Sequence, residues 1–157
     1  MENGRAVQVM ARHGLAVMLI GLFGGFVLMT AMLGGISLSP LPVFIPAAIG
    51  GTTRGWAVFH VGSVMNGIMA LSLSAFLSRV APSKSATAII CWGTVLAVWG
   101  NCLFYLFAMW APNHGLSAGA NRLGEGSFAG MIAFYPALIG AIGLLAAVVL
   151  LLFSKAR

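Results

Sequence analysis

The sequence has very little charge and no aspartate. Only 6% of its 157 residues are charged, whereas a soluble domain has about 25%, and 61% are hydrophobic. The two acids are Glu2 and Glu125, and the two cysteines, Cys91 and Cys102, have no Cys-x-x-Cys-His spacing. These absences exclude a water-soluble surface, a Ser-His-Asp triad, a zinc cluster of histidine and carboxylate, covalent c-type haem, and proton coupling through a membrane carboxylate.

Long apolar runs are what the chain does contain. Ionised residues are missing from four intervals, and each interval holds one such run. A helix needs about 20 apolar residues to cross the hydrocarbon core of a bilayer. The sequence therefore predicts an all-α, integral membrane four-helix bundle, with residues 1–157 forming a single transmembrane domain. The predicted spans lie near 13–36, 55–79, 86–110 and 127–153.

The cations are divided unevenly between the two ends of these spans. Arg54 and Arg122 fall in the connections 37–54 and 111–126, whereas the other six of the eight cations lie at the opposite ends. Those six are Arg5, Arg12, Arg79, Lys84, Lys155 and Arg157. The positive-inside rule predicts that both termini are cytoplasmic and that the two connections are outside. The net charge of +6 is interpreted as topology and contact with anionic lipid, so nucleic acid is rejected as a partner.

Small residues are spaced for helix packing on spans one and four. Gly21 and Gly25 form a small-xxx-small pair, and four alanines repeat every four residues on span four. These alanines are Ala129, Ala133, Ala137 and Ala141. Because lipid provides no hydrophobic drive between helices, they associate through close approach at small residues. Both stripes are interpreted as packing surfaces.

Polar side chains at membrane depth are the candidates for function, because each is costly there without a partner. On span two, Trp56, His60 and Ser63 share one helical face, whereas Asn66 points about 120° away from His60. On span three, Asn101 and Tyr105 share a face with Ala97 because the three are spaced by four. His60 and Asn66 are therefore expected to face different neighbours.

A lone membrane histidine is suited to a few kinds of chemistry. Imidazole can ligate a metal or haem, shuttle a proton or act as an acid or base. A non-covalent b-type haem with His60 as its one protein ligand is compatible with the residues present. The alternative is that His60 and Asn66 only hydrogen-bond across helices and that Tyr105 belongs to an interfacial aromatic belt. Surface roles are expected for His13, near the inner membrane boundary, and for His114, in an outer loop.

Three spaced motifs occur in the same order as in a known family. They are Gly55-Trp56-Ala57-x-x-His60-x-Gly62-x-x-x-Asn66-Gly67-x-Met69, Asn101-x-x-Phe104-Tyr105-Leu106-Phe107, and Pro112-Asn113-x-Gly115-Leu116-x-x-Gly119-x-Asn121-x-x-Gly124-x-Gly126. With His13-Gly14 and Ala133-x-x-Pro136-Ala137, they cover nearly the whole chain. The chain thus resembles the membrane-bound styrene oxide isomerase family.

The resemblance implies a homotrimer in the bacterial cytoplasmic membrane, with haem b at each subunit interface and His60 as the axial ligand of the iron. Asn66 and Tyr105 match the residues that hold the epoxide, and Trp56, Ser63 and Asn101 are expected to contact the cofactor. Ferric haem would act as a Lewis acid in a Meinwald rearrangement of aryl epoxides to aldehydes, without net redox. An upstream monooxygenase, as in styrene degradation, is a candidate partner.

The chain departs from the family pattern at one position of the polar stripe. An acidic residue stands eight positions before the tyrosine in that pattern, and here the position is Ala97. The alternative function is a non-enzymatic haem b membrane subunit for electron transfer or sensing, a class that usually needs two axial protein ligands. A small multidrug transporter is disfavoured because the spans contain no carboxylate.

Overall fold

The computed structural model describes residues 1–156, and these residues are mostly helical. They form α1 (Asn3–Leu33), α2 (Thr53–Leu77), α3 (Lys84–Phe107) and α4 (Phe128–Leu152). Each of these four helices is long and apolar enough to cross a membrane, which confirms the predicted number of spans. A 3-10 turn, Ala108–Trp110, extends α3. Arg157, which was counted among the cations of the inner end, lies outside the described residues.

The first helix begins much earlier than the predicted first span. It starts at Asn3 instead of near residue 13, and Ala6 and Met10 are buried against Leu77 and Ile90. The helix is longer than the predicted span because charge marks where apolar surface ends, whereas a helix continues for as long as it can pack. At its other end α1 stops at Gly34, whose φ of 69° gives the left-handed cap that glycine favours.

The loop after α1 is not helical, which corrects the all-α prediction in detail. Strands β1 (Gly35–Ser37) and β2 (Phe44–Pro46) form an antiparallel hairpin in which Gly35 pairs with Pro46. The hairpin satisfies backbone groups of an apolar, proline-rich segment that has few side chains to do so. It stays close to the end of α1, because the Ala47 N–H donates to the Gly34 carbonyl.

The other three helices begin at hydroxyl caps. Thr52, Ser83 and Ser127 each accept a hydrogen bond from the backbone N–H three residues later. Such caps satisfy one of the orphan donors at a helix start. The starts of α2, α3 and α4 therefore have a local cause, and they fall within a few residues of the predicted spans.

Helix α3 is the most enclosed of the four. Half of its most apolar window is buried, compared with 17% for α1 and for α4. It packs along α4 on one side and against α1 and α2 on the other, while α1 packs mainly along α2. Polar residues on α3 therefore face other helices rather than lipid.

Small residues bring α3 and α4 into close contact, but not through the predicted alanine stripe. Gly93 lies on Gly143, and Gly100 lies on the carbonyl of Pro136. Of the four alanines only Ala133 is buried, and the buried face of α4 follows Gly130, Ala133, Gly140, Ala147 and Leu151. Four residues turn a helix by about 400°, so a strict spacing of four drifts off the contact face.

The chain termini and the α2–α3 turn meet at one end of the bundle. The N-terminal amine donates to the Lys84 carbonyl at 3.1 Å, and the Asn3 amide donates to the carbonyls of Leu77 and Val80. The Ala81 N–H donates to the Lys155 carbonyl. Most of the cations therefore belong to one surface, opposite the two long loops.

Candidate active site

The polar residues of α2 point to two different neighbours, as the helical spacing predicts. His60 Nδ1 lies 2.8 Å from the Gly21 carbonyl oxygen of α1. Asn66 Nδ2 lies 3.2 Å from the Tyr105 hydroxyl of α3. One polar group therefore lies at the α1–α2 contact and the other at the α2–α3 contact.

Two glycines of α1 seat the His60 ring. The Gly21 carbonyl can only accept, so the proton of the neutral imidazole is on Nδ1. A Cβ at Gly25 would stand 2.9 Å from both Cε1 and Nδ1 of His60, so the ring lies directly on this glycine. The small-residue pair read from the sequence as a packing feature therefore also orients a histidine.

The second nitrogen of His60 is open to a ligand. Among the described residues Nε2 has no hydrogen-bond partner, and it is not an enclosed atom of the protomer. A histidine that ligates a metal typically donates its other ring N–H to a carbonyl in this way. The described residues contain no group of three His, Cys, Asp or Glu side chains that could hold a metal ion by themselves. Haem needs only one such imidazole from the protein, because the porphyrin provides the other iron ligands.

On the other face of α2, three side chains form a connected polar group. Asn66 Nδ2 donates to the Gly62 carbonyl at 2.8 Å and to the Tyr105 hydroxyl, and its Oδ1 accepts from Asn101 Nδ2 at 2.9 Å. Asn66 is buried, with 6% of its surface exposed. Because both hydrogens of its amide and its oxygen are engaged, its orientation is defined.

The Tyr105 hydroxyl has a free proton. Its oxygen accepts from Asn66, so its own O–H can donate to a further group. A Cβ at Gly62 would overlap the Tyr105 ring, which places the ring against the backbone of α2. Tyr105 is therefore held from two sides while its proton stays available.

Two cavities meet at Tyr105. The larger cavity, of about 500 Å³, lies beside the two long loops and is lined by Arg54 and His114 among others. The smaller cavity, of about 320 Å³, lies between α3 and α4. Phe104, Tyr105 and Leu116 line both, and Asn101 lines the smaller. Their walls are mainly apolar, and neither includes His60. Tyr105 and the free imidazole nitrogen thus lie on different faces of α2 within one protomer.

The long loop between α3 and α4 forms one wall of these cavities and is organised by a buried asparagine. Asn113 is fully buried, its amide donates to the carbonyls of Ser117 and Gly119, and its Oδ1 accepts from the Gly115 N–H. This network defines the backbone on either side of Leu116. The motif Pro112-Asn113-x-Gly115 was visible in the sequence, but its partners were not.

The residues predicted to contact a cofactor are not gathered in one place. Trp56 donates to the Gly50 carbonyl at 2.8 Å and lies edge-on to Trp110, near the two long loops. Ser63 is fully buried beside Cys102, and Asn101 lies with Asn66. Direct contact of these three with a cofactor stays a prediction, whereas His60 has a ring nitrogen without a hydrogen-bond partner among the described residues.

A hydrogen bond between His13 and Trp99 was not predicted from the sequence. His13 Nδ1 accepts from Trp99 Nε1 at 3.0 Å, across the α1–α3 contact, and the bond is partly buried. His13 was expected to have a surface role, whereas the structure places it half-buried at this helix contact. Ala97 is buried on the α4 side, where Gly140 packs on it.

The chain has clear similarity to known proteins. The family model described as styrene oxide isomerase matches residues 7–156. The styrene-oxide isomerase of Pseudomonas fluorescens is 29% identical over 133 residues, which cover 83% of this chain and 76% of that protein. The match therefore includes all four helices and both long loops.

Proposed function

The chain belongs to the styrene oxide isomerase family, and on that premise we propose that it converts aryl epoxides such as styrene oxide into aldehydes such as phenylacetaldehyde. The observation that carries the proposal is that Tyr105, whose hydroxyl oxygen accepts from Asn66 and whose own O–H can still donate, lines a mainly apolar cavity. Such a donor can hold an epoxide oxygen while the rest of the cavity holds the aryl ring.

The proposed reaction is a Meinwald rearrangement. The benzylic C–O bond of the epoxide opens, and a hydride moves from the terminal carbon to the benzylic carbon. The terminal carbon keeps the oxygen and becomes the aldehyde. Substrate and product are isomers, so no electron donor or acceptor is consumed.

Haem b is the proposed cofactor, with His60 as its protein ligand. The support is a ring whose Nδ1 is engaged by Gly21 and whose Nε2 is free. When bound, ferric haem supplies a Lewis acid that polarises the epoxide oxygen. The chain's own part is to present Nε2 in one orientation, which Gly21 and Gly25 do from α1.

Tyr105 and Asn66 are proposed to hold the epoxide oxygen. The contact between them, at 3.2 Å, is longer than the other bonds of Asn66, so this amide hydrogen is the one most easily shared with a substrate. Negative charge grows on the oxygen as the C–O bond opens, and donors aimed at developing charge stabilise the transition state. Two donors from rigid helices also fix which C–O bond faces the catalytic group.

The cavity walls are proposed to keep the reaction dry. Phe104, Leu116, Phe134 and Leu138 are among the residues that line the smaller cavity. Opening of the benzylic C–O bond leaves positive charge on the benzylic carbon. Water at that carbon would capture the cation and give a diol. Aromatic faces such as Phe104 also favour a nearby positive charge.

A complete site is proposed to need more than one copy of the chain. His60 presents Nε2 outside the protomer, whereas Tyr105 lies on the opposite side of α2. A homotrimer with haem at each subunit interface would let His60 of one copy meet the epoxide-holding residues of another. Large apolar side chains such as Leu22, Phe26 and Met65 are exposed on the protomer and could pack in such an interface or against lipid.

The proposed location is the bacterial cytoplasmic membrane. The surface that carries the termini, Arg79 and Lys84 is proposed to face the cytoplasm, because cations favour that side. Its basic character also suits anionic lipid head groups. A monooxygenase that oxidises an alkene is the class of enzyme expected to supply the epoxide.

The test is an absorbance spectrum and a product assay on the same detergent-purified sample. We expect a Soret band and conversion of styrene oxide to phenylacetaldehyde, and we expect His60→Ala to lose both. His13→Gln is the matched control, because glutamine can still accept the Trp99 hydrogen bond. A colourless protein from haem-replete cells, or one that leaves styrene oxide unchanged, would contradict the proposal.

The same experiment separates the electron-transfer alternative. Within one protomer His13 is eight residues from Gly21 along α1, or about 12 Å, so it cannot share an iron with His60. A six-coordinate low-spin spectrum that cycles readily with a quinol, without epoxide turnover, would favour that alternative. It would also require a second ligand from another copy.

A further inference from the structure

We propose that Asn101 is a positioning residue that holds the amide of Asn66 in the orientation needed for the epoxide. This inference rests on the proposed function. Asn101 was expected to contact the cofactor, but its Nδ2 donates to Asn66 Oδ1 at 2.9 Å, on the face of α2 opposite His60. It therefore lies on the side of α2 that carries Asn66 and faces Tyr105, the two residues proposed to hold the substrate.

The hydrogen-bond inventory of Asn66 explains why such a residue is needed. One amide hydrogen goes to the Gly62 carbonyl, and the other points to the Tyr105 hydroxyl, where the epoxide oxygen would arrive. The remaining group, Oδ1, has Asn101 as its only partner among the described residues. Asn66 is buried, so water does not replace that partner easily.

Removing the Asn101 donor would leave a buried carbonyl oxygen unpaired. An unpaired buried acceptor is costly, so Asn66 would turn to find a donor. The nearest available donor is the Tyr105 O–H, because its oxygen is already within 3.2 Å of the Asn66 amide. The Tyr105 O–H would then donate to Asn66 Oδ1 instead of to the epoxide oxygen, and the amide hydrogen that had pointed to Tyr105 would turn away with the rotated amide.

Helix geometry supports the same role. Asn101 and Tyr105 are one turn apart on α3, and both line the smaller cavity. Asn101 therefore connects to Tyr105 in two ways, through Asn66 and through the shared helix. Such an arrangement gives a rigid group of donors, which is what a developing negative charge requires.

The experiment uses Asn101→Leu, which keeps the approximate size and removes the donor. We expect kcat for styrene oxide to fall by about tenfold while KM changes by less than about threefold, because the lost interaction acts in the transition state. The Soret band and haem content should match the wild type, since Asn101 does not lie with His60. Asn101→Ala enters the same measurements if the leucine variant does not fold.

A double-mutant cycle with Asn66→Leu separates positioning from direct contact. If Asn101 acts through Asn66, the second substitution changes kcat by less than about twofold in the Asn66→Leu background. Effects that multiply would overturn the inference, because Asn101 would then act on the substrate by itself. Loss of haem content in the Asn101 variants would also overturn it, in favour of a cofactor contact.

Failure of this inference can be told apart from failure of the proposed function. A wild-type protein that does not isomerise styrene oxide sinks the proposed function. An active wild type with an unchanged kcat in Asn101→Leu sinks only the role of Asn101. The two outcomes come from the same assay on two samples.

Discussion

On the α1 side of α2, His60 lies on Gly25 and uses one ring nitrogen, whereas on the α3 side Asn66 has every polar atom engaged. Both sides use a glycine to bring a ring close to a helix backbone, Gly25 for His60 and Gly62 for Tyr105. On the first side Nε2 has no partner among the described residues, while on the second side Asn66 connects Asn101 and Tyr105 through hydrogen bonds. One side is suited to binding a group from outside the protomer, and the other to orienting a substrate.

This difference suggests that cofactor binding and substrate positioning can be changed separately. The two sets of contacts share the α2 backbone but no side chain. Substitutions on the α3 side should alter turnover with the haem spectrum intact, and substitutions on the α1 side should alter haem binding first. Three substitutions test whether turnover and haem binding change separately.

The largest effect is expected for Tyr105→Phe. This change removes the free proton but keeps the ring on Gly62, so kcat should fall by about 10²-fold, as for the loss of one donor to a developing oxyanion. Haem content should stay at the wild-type level. Steady-state kinetics with a Soret measurement on each sample is the check, and an unchanged kcat would remove Tyr105 from the proposed mechanism.

A smaller effect is expected for Gly62→Ala. The added Cβ would overlap the Tyr105 ring, so the ring must move away and carry its hydroxyl with it. We expect kcat to fall by about tenfold with haem content retained. Gly4→Ala on α1 is the control, because its Cβ would meet nothing within 4 Å. Loss of haem in Gly62→Ala would show that the two sides are coupled through α2.

The smallest effect is expected for Gly25→Ala, on the other side of the same helix. Its Cβ would stand 2.9 Å from the His60 ring, so the ring or the helix has to shift. We expect haem affinity to weaken by about fivefold, equivalent to about 1 kcal/mol. Titration of haem-free protein measures this, and kcat per bound haem should change much less. An unchanged affinity would mean that Gly25 does not orient the ligand.

Several features of the fold could be predicted from residues alone because their causes are local. Helix starts follow the caps Thr52, Ser83 and Ser127, and the number of spans follows from the spacing of charges. The opposed directions of His60 and Asn66 follow from 100° per residue on a regular helix. None of these needs knowledge of which helix lies beside which.

Other features could not be predicted because they depend on a partner elsewhere in the chain. Whether His13 is a surface residue depends on Trp99, which lies 86 residues later. The role of Asn101 depends on Asn66, and the buried face of α4 depends on where Gly93 and Gly100 approach it. The family motifs include Asn66 and Asn101, but a motif does not show which side chains bond to each other.

The sequence by itself determined that this protein has four apolar helices, a concentration of cations at one set of helix ends, and a few polar residues at depth. Each of these is a property of a residue and its near neighbours. Only the tertiary structure decided that Gly21 and Gly25 seat His60 and that Asn101 holds Asn66. The physical reason is that a buried polar group must find its partner across a helix contact, and helix contacts are set by the packing of the whole bundle.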